Sequence, residues 1–370
     1  MRTLSFPDRE IFWPPADELT EAAERIRARL GDWPAANAPW RICLIAPDEP
    51  RAGDLIVFTE QKAGAPGHTG SLDHWLANGA GVIEAASGDV TLRLGEVRYA
   101  LESAGPLAED WLAALAGFLD CGFEAHDALV LALAWRDGDE TRADDAWPVD
   151  LSRFPRVAGL PAAPTPAFPR CPERLGLYPV LPSADWVERV LDYGVKTTQL
   201  RLKRAEPDVL AAEISRCVTA GREHDAQVFI NDHWREAVAA GAYGVHLGQE
   251  DVHTADLQAI AAAGLRLGLS THGYYEMLTA LHFKPSYIAL GAVFPTTTKV
   301  MPTAPQGLAR LARYVRLLEG VVPLVAIGGI DGAVLADVLA TGVASAAVVR
   351  AVTEAADPAA AVVALQQKFA

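Results

Sequence analysis

In the second half of the chain, short apolar runs alternate regularly with longer segments whose apolar residues recur every three or four positions. The runs are rich in β-branched residues, as buried strands are, and the longer segments, such as ADWVERVLDYG, have the period of a helix. A strand–helix unit repeated eight times predicts a closed (β/α)8 barrel of the TIM type. An open, doubly wound sheet is less favoured, because no G-x-G-x-x-G turn follows the first predicted strand. The strands are predicted at 175–181, 197–203, 227–232, 243–249, 266–272, 287–294, 323–330 and 345–351.

Prolines divide the chain into two parts. They crowd between Trp147 and Pro172, where they deny the backbone hydrogen-bond donors and favour extended chain. We therefore predict a Pro-rich linker at 151–173, a barrel at 174–370 and a separate N-terminal domain at 1–150. Strand-like and helical runs both occur in the N-terminal part, so the chain is assigned to the α/β class, with an N-terminal domain of α/β or α+β type.

The composition of the chain favours a globular protein and argues against nucleic-acid and membrane partners. With 51% hydrophobic and 21% charged residues, the chain has the make-up of a well-packed globular protein. The net charge of −15 argues against a nucleic-acid partner, because binding a polyanion needs a basic surface. No apolar run approaches the ~20 residues that span a bilayer, and the first residues lack an apolar signal core, so a cytoplasmic protein without a membrane partner is expected. The four cysteines are far apart in sequence, which favours free thiols over zinc ligands or disulfides.

The predicted second strand ends in polar residues. Gln199, Arg201 and Lys203 are spaced two apart, so they would lie on one face of the strand, toward the barrel interior. In barrels of this kind the catalytic groups come from the carboxyl ends of the strands. Two cations there predict an anionic ligand, although basic side chains that merely reach the rim are the alternative.

Carboxylates follow the next two predicted strands. Asn231 and Asp232 end the third strand, and Asp251 lies just after the fourth. Because neighbouring strand ends are close together in a barrel, Asp232 and Asp251 could share one divalent cation. Mg2+ is the expected ion, since it prefers oxygen ligands and usually takes one or two protein carboxylates beside phosphates and water. Either aspartate could instead cap the following helix.

The fifth and sixth strand ends offer hydroxyls and a further cation. Ser270 ends the fifth strand, and Thr296, Thr298 and Lys299 lie in the loop after the sixth. Hydroxyls and an ammonium suit phosphate oxygens, so these residues extend the predicted anion site. A threonine-rich loop without a ligand is the alternative.

The last two strand ends predict a second anion site. Gly328 and Gly329 end the seventh strand and would let the backbone approach an anion closely, and Val349 and Arg350 end the eighth. Barrels of this type commonly hold a phosphate here, although a tight turn needs the same glycines. A diphosphate beside a monophosphate suits a transferase in which a nucleophile on one substrate displaces pyrophosphate from the other, with cations and metal stabilising the leaving charge.

These motifs, in this order, resemble those of the thiamine-phosphate synthase (thiamine-phosphate pyrophosphorylase) family. They are TTQLRLK, FINDHWREA, YGVHLGQEDV, GLSTH, YIALGAVFPTTTK, APQGL and VAIGGI, and the resemblance runs from about Leu175 to the C-terminus. It implies a transferase that joins 4-amino-5-hydroxymethyl-2-methylpyrimidine diphosphate to a thiazole monophosphate and releases pyrophosphate through a pyrimidine carbocation. Its partners would be these small-molecule substrates and its cofactor Mg2+. Assembly into a homo-oligomer is left open.

The resemblance also implies a role for each motif residue. Gln199 would bind the pyrimidine ring, and Asp232 and Asp251 would ligate Mg2+. Thr296 and Thr298 would contact the thiazole phosphate or the pyrimidine. The residues implied to hold the diphosphate are Arg201, Lys203, Asn231, Ser270 and Lys299, of which Arg201, Lys203, Ser270 and Lys299 are taken as catalytic.

The phosphate end of the resemblance contains one departure. Gly329 and the region of Val349 would supply backbone donors to the thiazole phosphate. Family members commonly have a small hydroxyl residue in the turn after the eighth strand, where this chain has Arg350. Arg350 would either add a cation to the phosphate site or point into solvent.

Two other functions are weighed against the synthase. A thiazole tautomerase is a related barrel that keeps the monophosphate site but needs no diphosphate site, and Lys203, Asp232, Asp251 and Lys299 speak against it. A barrel that binds thiamine precursors as a regulator without turnover is the other alternative. Because the predicted metal and diphosphate residues are all present, the synthase is preferred.

The N-terminal domain carries a second resemblance. Its helical pair, AEDWLAALAGFLDCG and AHDALVLALAWRDG, resembles the C-terminal part of pyrimidine kinases of the ribokinase type. Those kinases form their anion hole with a G-x-G-D turn, whereas the corresponding stretch here, 107–110, contains no glycine. We therefore expect a degenerate kinase-like or docking domain, with a free interaction module as the second hypothesis.

Overall fold

The computed structural model describes residues 6, 9–34, 39–59, 69–142, 145–296 and 303–369. The chain forms two compact units, Met1–Leu160 and Pro161–Ala370, which are described separately. Within these described ranges, no helix is both long enough and apolar enough to cross a membrane.

The first unit is built on one mixed sheet. Its strands follow one another in chain order, parallel from β1 to β4 and antiparallel from β4 to β7. The elements are β1 (Phe12–Trp13), α1 (Asp17–Arg27), β2 (Arg41–Cys43), β3 (Asp54–Thr59), α2 (Thr69–Ala77), β4 (Gly81–Ala86), β5 (Asp89–Leu94), β6 (Val97–Glu102), α3 (Trp111–Asp120), α4 (Ala125–Ala134) and β7 (Arg156–Val157), with 3-10 turns at Asp139–Thr141 and Leu151–Arg153. The predicted separate domain is therefore of mixed α/β type.

Two buried arginine–aspartate ion pairs inside the first unit are also hydrogen-bonded. Arg41 donates from Nε and Nη2 to the two oxygens of Asp54, at 2.9 and 2.8 Å, and both side chains are buried. Arg27 donates to Asp120 at 2.9 Å and to the Trp33 carbonyl oxygen at 2.6 Å. Buried charges are tolerated when they are paired in this way, so these contacts account for charged residues in an otherwise apolar core.

The four cysteines are buried and free. Burial raises the pKa of Cys43, Cys171 and Cys217 to about 12. Because the thiolate is the reactive form, these thiols are inert core residues near neutral pH, in line with the expectation from their spacing.

The predicted linker 151–173 is divided between the two units. β7 lies inside it and pairs with β6, so the first unit extends to Leu160. The remainder, residues 161–173, which we call the strap, binds α9 (Leu257–Ala262), α10 (Tyr274–His282) and the amino-terminal ends of β12 (Arg266–Thr271) and β13 (Tyr287–Leu290). Proline removes a backbone donor but keeps its carbonyl acceptor, and the Pro161 and Pro169 carbonyl oxygens both accept hydrogen bonds from the barrel. The contacts are His282 Nε2 to Pro161 O (2.7 Å), Thr165 N to Gln258 Oε1 (3.0 Å), Gln258 Nε2 to Thr165 O (2.7 Å), Ser286 Oγ to Pro169 O (2.7 Å) and Arg266 Nε to Arg170 O (3.0 Å).

The second unit is the predicted barrel. All neighbouring strands from β8 to β15 are parallel, and β15 pairs with β8 to close the ring. Its elements are β8 (Gly176–Leu181), α5 (Ala184–Asp192), β9 (Thr197–Leu200), α6 (Pro207–Glu223), β10 (Gln227–Asn231), α7 (Trp234–Ala240), β11 (Gly244–Leu247), α8 (Gln249–Val252), α9 (Leu257–Ala262), β12 (Arg266–Thr271), α10 (Tyr274–His282), β13 (Tyr287–Leu290), α11 (Gly307–Leu318), β14 (Leu324–Ala326), α12 (Leu335–Leu339), β15 (Ser345–Val348), α13 (Arg350–Thr353) and α14 (Pro358–Gln366), followed by a 3-10 turn at Gln367–Phe369.

Several strands end earlier than predicted. β9 stops at Leu200, although the Arg201 N–H still donates to the Leu181 carbonyl oxygen at 2.7 Å. Lys203 therefore lies in the loop and not on the inward face of a strand, because the ladder does not continue beyond Arg201. β13 and β14 likewise end at Leu290 and Ala326, so the glycines of the predicted seventh strand belong to the loop after β14.

Candidate functional site

A cavity of about 1010 Å³ opens at the carboxyl ends of the barrel strands. Thr298 and Lys299 lie outside the described residues, and the cavity brings together the other residues predicted for the site. Those lining it are Gln199, Arg201, Lys203, Asn231, Asp232, Asp251, Ser270, Thr296, Gly329, Val349 and Arg350. One concave site therefore collects side chains that are up to about 150 residues apart in sequence.

Two carboxylates face each other at one side of this cavity. Asp232 follows β10 in a left-handed conformation (φ 64°), and its N–H donates to the His246 carbonyl oxygen of β11 at 3.0 Å. Desolvation by the cavity walls raises the pKa of the Asp232 carboxyl, and repulsion from Asp251 raises it further, while Arg201 lowers it. The barrel thus holds two like charges together, which a cation would stabilise.

Mg2+ fits this donor set. Within the part of the chain that the structure describes, no cluster of three or more His, Cys, Asp or Glu residues could hold a metal. A magnesium site of one or two carboxylates, completed by substrate phosphate and water, needs no such cluster. Burial lowers the pKa of the neighbouring Arg201 guanidinium and Asp232 raises it, and the arginine remains charged.

Glycines form the opposite side of the cavity. Gly328 (φ 102°) and Gly329 (φ 66°) have left-handed backbones that favour glycine. A Cβ at Gly328 would lie 2.5 Å from Ala292 Cβ, and one at Gly329 would lie 2.6 Å from the Pro295 oxygen. Phe294 N also donates to Gly328 O at 3.0 Å, which ties the loop after β13 to this turn. The fixed, side-chain-free backbone is suited to binding an anion by its N–H groups.

Arg350 lies at the same end of the cavity. It is the first residue of α13, is exposed, and lines the cavity together with Lys368 from the C-terminal turn. The contribution of a cation from Arg350 to the phosphate site stays a prediction.

The sequence patterns did not reveal three buried polar residues at this site: His246, which lines the cavity, and Tyr178 and Tyr287, which lie beneath it. Tyr178 of β8, His246 of β11 and Tyr287 of β13 all point into the barrel and are hydrogen-bonded to one another and to Gln199 and Ser270. A histidine within an otherwise apolar predicted strand was the available signal. Its partners come from strands far away in sequence, so spacing alone does not identify them.

Known proteins resemble the barrel unit. A family model described as "Thiamine monophosphate synthase" matches residues 177–352. Thiamine-phosphate synthase of Neisseria meningitidis serogroup A is 62% identical over 192 residues, which are 52% of this chain and 93% of that protein. The enzyme of the same name from Salmonella newport is 58% identical, over 52% of this chain and 90% of its own length. A solved thiamine phosphate pyrophosphorylase from Pyrococcus furiosus is 32% identical, covers 53% of this chain and 95% of its own, and superposes with a TM-score of 0.46. The chain belongs to the thiamine-phosphate synthase family.

Proposed function

We propose that the barrel condenses 4-amino-5-hydroxymethyl-2-methylpyrimidine diphosphate with a thiazole monophosphate to give thiamine phosphate and pyrophosphate. The observation that carries this proposal is a single cavity with two chemically different sides, each of which would suit an anion. Carboxylates and cations line one side, and a glycine backbone turn lines the other. Two phosphorylated substrates would be held with their reacting atoms between these sites.

The diphosphate would bind on the side of β9 to β12. Arg201 and Lys203 would neutralise its charge together with Lys299, and Asn231 and Ser270 would donate hydrogen bonds. Asp232 and Asp251 would hold Mg2+, which supplies further positive charge for the leaving pyrophosphate. Gln199 would bind the pyrimidine ring, since it lines the same cavity.

The thiazole phosphate would bind on the side of β14 and β15. Backbone N–H groups near Gly329 and Val349 would hold its oxygens, Arg350 would add a positive charge, and Thr296 and Thr298 would contact the phosphate or the pyrimidine. Held in this way, the thiazole nitrogen would face the methylene carbon of the pyrimidine. The C–O bond to the diphosphate breaks with its electron pair leaving on oxygen, and the nitrogen lone pair forms the new C–N bond.

Incubation of the full chain with both substrates and Mg2+ tests the proposal. We expect thiamine phosphate and pyrophosphate in equal amounts, with no thiamine phosphate when either substrate is omitted. Conversion of the thiazole phosphate without the pyrimidine substrate would instead indicate a tautomerase. Binding of both compounds without any product would indicate a regulator.

We further propose that the barrel unit carries this activity without the N-terminal unit, whose stretch before α3 is acidic and lacks glycine at 107–110. A chain that begins at Pro161 should therefore retain turnover close to that of the full protein. A chain that begins at Pro172 lacks most of the strap and should be less stable by about 2–4 kcal/mol, because several hydrogen bonds are lost. Thermal unfolding should then occur about 5–10 °C lower.

Folding of both shortened chains is checked by circular dichroism before turnover is compared. A folded chain from Pro161 that had lost turnover would assign a necessary role to the N-terminal unit. Equal unfolding temperatures for the two chains would show that the strap contributes nothing to stability.

A further inference from the structure

A buried line of hydrogen bonds crosses the barrel beneath the cavity. Gln199 Nε2 donates to Tyr178 Oη at 3.2 Å, and the Tyr178 and Tyr287 hydroxyls are 2.9 Å apart. Tyr287 Oη lies 2.6 Å from His246 Nδ1, and His246 Nε2 lies 2.8 Å from Ser270 Oγ. The two end residues and His246 line the cavity, whereas the tyrosines lie beneath it.

The direction of these hydrogen bonds follows from the Ser270 end and is compatible with the Gln199 end. A phosphate oxygen accepts, so a Ser270 hydroxyl that binds it must donate, and Ser270 Oγ then accepts from His246 Nε2–H. A neutral imidazole protonated at Nε2 accepts at Nδ1, so Tyr287 donates to it and Tyr178 donates to Tyr287. At the other end, the Gln199 amide donates to Tyr178, which leaves the Tyr178 hydrogen available to donate to Tyr287.

We propose that Tyr287 and His246 are positioning residues that hold the Ser270 hydroxyl with its hydrogen toward an anion in the cavity. Because Gln199 Nε2 donates to Tyr178, Gln199 Oε1 remains to accept a hydrogen bond from a donor on the ring of the ligand. This inference rests on the proposed function only in identifying the anion as the diphosphate of the pyrimidine substrate. The ligand that fits both ends has an amino group on one part and a phosphate on another.

The structure around Tyr287 is built to place its hydroxyl. Gly268 of β12 is paired with Tyr287 of β13, and a Cβ there would lie 2.2 Å from the Tyr287 ring, so only glycine leaves room for it. The Tyr287 ring also stacks on His246, with centroids 5.6 Å apart and an interplanar angle of 24°. Burial raises the pKa of Tyr178 and Tyr287 above the ordinary value, so both phenols keep the proton that they donate.

A double-mutant cycle between Tyr287→Phe and Ser270→Ala tests the proposal in the full-length protein. Tyr287→Phe removes the donor to His246 Nδ1 and preserves the ring, so we expect kcat/KM to fall about 10- to 100-fold. In the Ser270→Ala background the same change should alter kcat/KM less than about 3-fold, because the hydroxyl that it orients is already absent. Equal effects in both backgrounds would overturn the proposal.

Tyr178→Phe is the matched control. It removes an equally buried hydroxyl from the same core cluster, but Tyr287 keeps its own proton for His246. We therefore expect Tyr178→Phe to affect kcat/KM by the same factor with and without Ser270. If the effect of Tyr178→Phe on kcat/KM disappeared in the Ser270→Ala background, as that of Tyr287→Phe is expected to, the assigned direction of the hydrogen bonds would be contradicted.

A second readout does not depend on turnover. In 15N NMR spectra of the protein with inorganic pyrophosphate and Mg2+, His246 should carry its proton on Nε2, and Tyr287→Phe should shift the population toward the Nδ1–H form. A wild-type Nδ1–H form would overturn the inference even if thiamine phosphate were produced, and the Nε2–H form would uphold it even if the proposed reaction failed.

If Tyr287→Phe does not fold, two variants of His246 replace it. His246→Gln, whose amide can replace the Nε2–H donor, should retain at least about 10-fold more activity than His246→Leu. Equal activities of those two variants would also overturn the inference.

Discussion

Asp232→Asn is expected to lower turnover by at least about 100-fold at saturating Mg2+, which corresponds to about 2.7 kcal/mol of lost transition-state stabilisation. The substitution removes one of the two carboxylates proposed to hold the metal. Without metal, however, the same substitution should raise the unfolding temperature or leave it unchanged, because it relieves the burial of a charge and the repulsion from Asp251, which together raise the Asp232 pKa. Asparagine also tolerates the left-handed backbone at this position. Turnover and metal-free thermal unfolding are the two measurements.

Asp225→Asn provides the control for this experiment. Asp225 is also left-handed (φ 47°) and exposed, and it is not among the residues that line the cavity. We expect wild-type turnover and the wild-type response to Mg2+ from it. Wild-type turnover in Asp232→Asn would refute the metal assignment, and a drop in its metal-free stability would refute the account of repulsion.

Gly329→Ala is expected to raise the KM for the thiazole phosphate by about 100-fold, since displacing a binding group by about 1 Å has effects of this size. A Cβ at Gly329 would lie 2.6 Å from the Pro295 oxygen and 2.7 Å from Phe294 Cβ, so the turn must move. The left-handed backbone adds strain, and we expect a loss of stability of about 1–3 kcal/mol. The KM for the pyrimidine diphosphate should change much less, because that substrate is assigned to the opposite side of the cavity. Steady-state kinetics with each substrate varied in turn make the comparison.

Gly332→Ala is the matched variant in the same loop. Its Cβ would have Leu365 Cδ2, at 4.0 Å, as its nearest neighbour, so the backbone need not move. Both KM values should stay within about 2-fold of wild type. A similar rise in both KM values for Gly329→Ala would mean that the turn shapes the whole cavity and does not bind one phosphate.

The barrel was predictable because its strands are buried on both faces and therefore appear as continuous apolar runs. The residues at the strand ends were predictable for the same reason, since polar groups such as Asp232 stand out after such runs. The strand lengths could not be predicted as well. Lys203 continues the alternating pattern of β9, but the strand hydrogen bonds end at Arg201. The roles of all the predicted site residues stay predictions, and Thr298 and Lys299 also lie outside the described residues.

Interactions between distant strands could not be predicted from spacing. The line from Gln199 to Ser270 joins β8, β9, β11, β12 and β13, and it depends on how far each side chain reaches across the barrel. The strap was obscured for a different reason. Its prolines indicate missing donors, whereas its hydrogen bonds to the barrel are made by the Thr165 N–H and by carbonyl oxygens, which every sequence possesses.

The strap has a consequence for how this protein tolerates sequence change. It binds Arg266 and Ser286 at the amino-terminal ends of β12 and β13, and Cys171 completes the core from that side. The cavity lies at the carboxyl ends of the same strands. The amino-terminal end of the barrel thus contributes to stability and the carboxyl-terminal end forms the cavity, as is common in this architecture. Substitutions in the strap are therefore expected to change the stability of the fold without changing the residues that line the cavity.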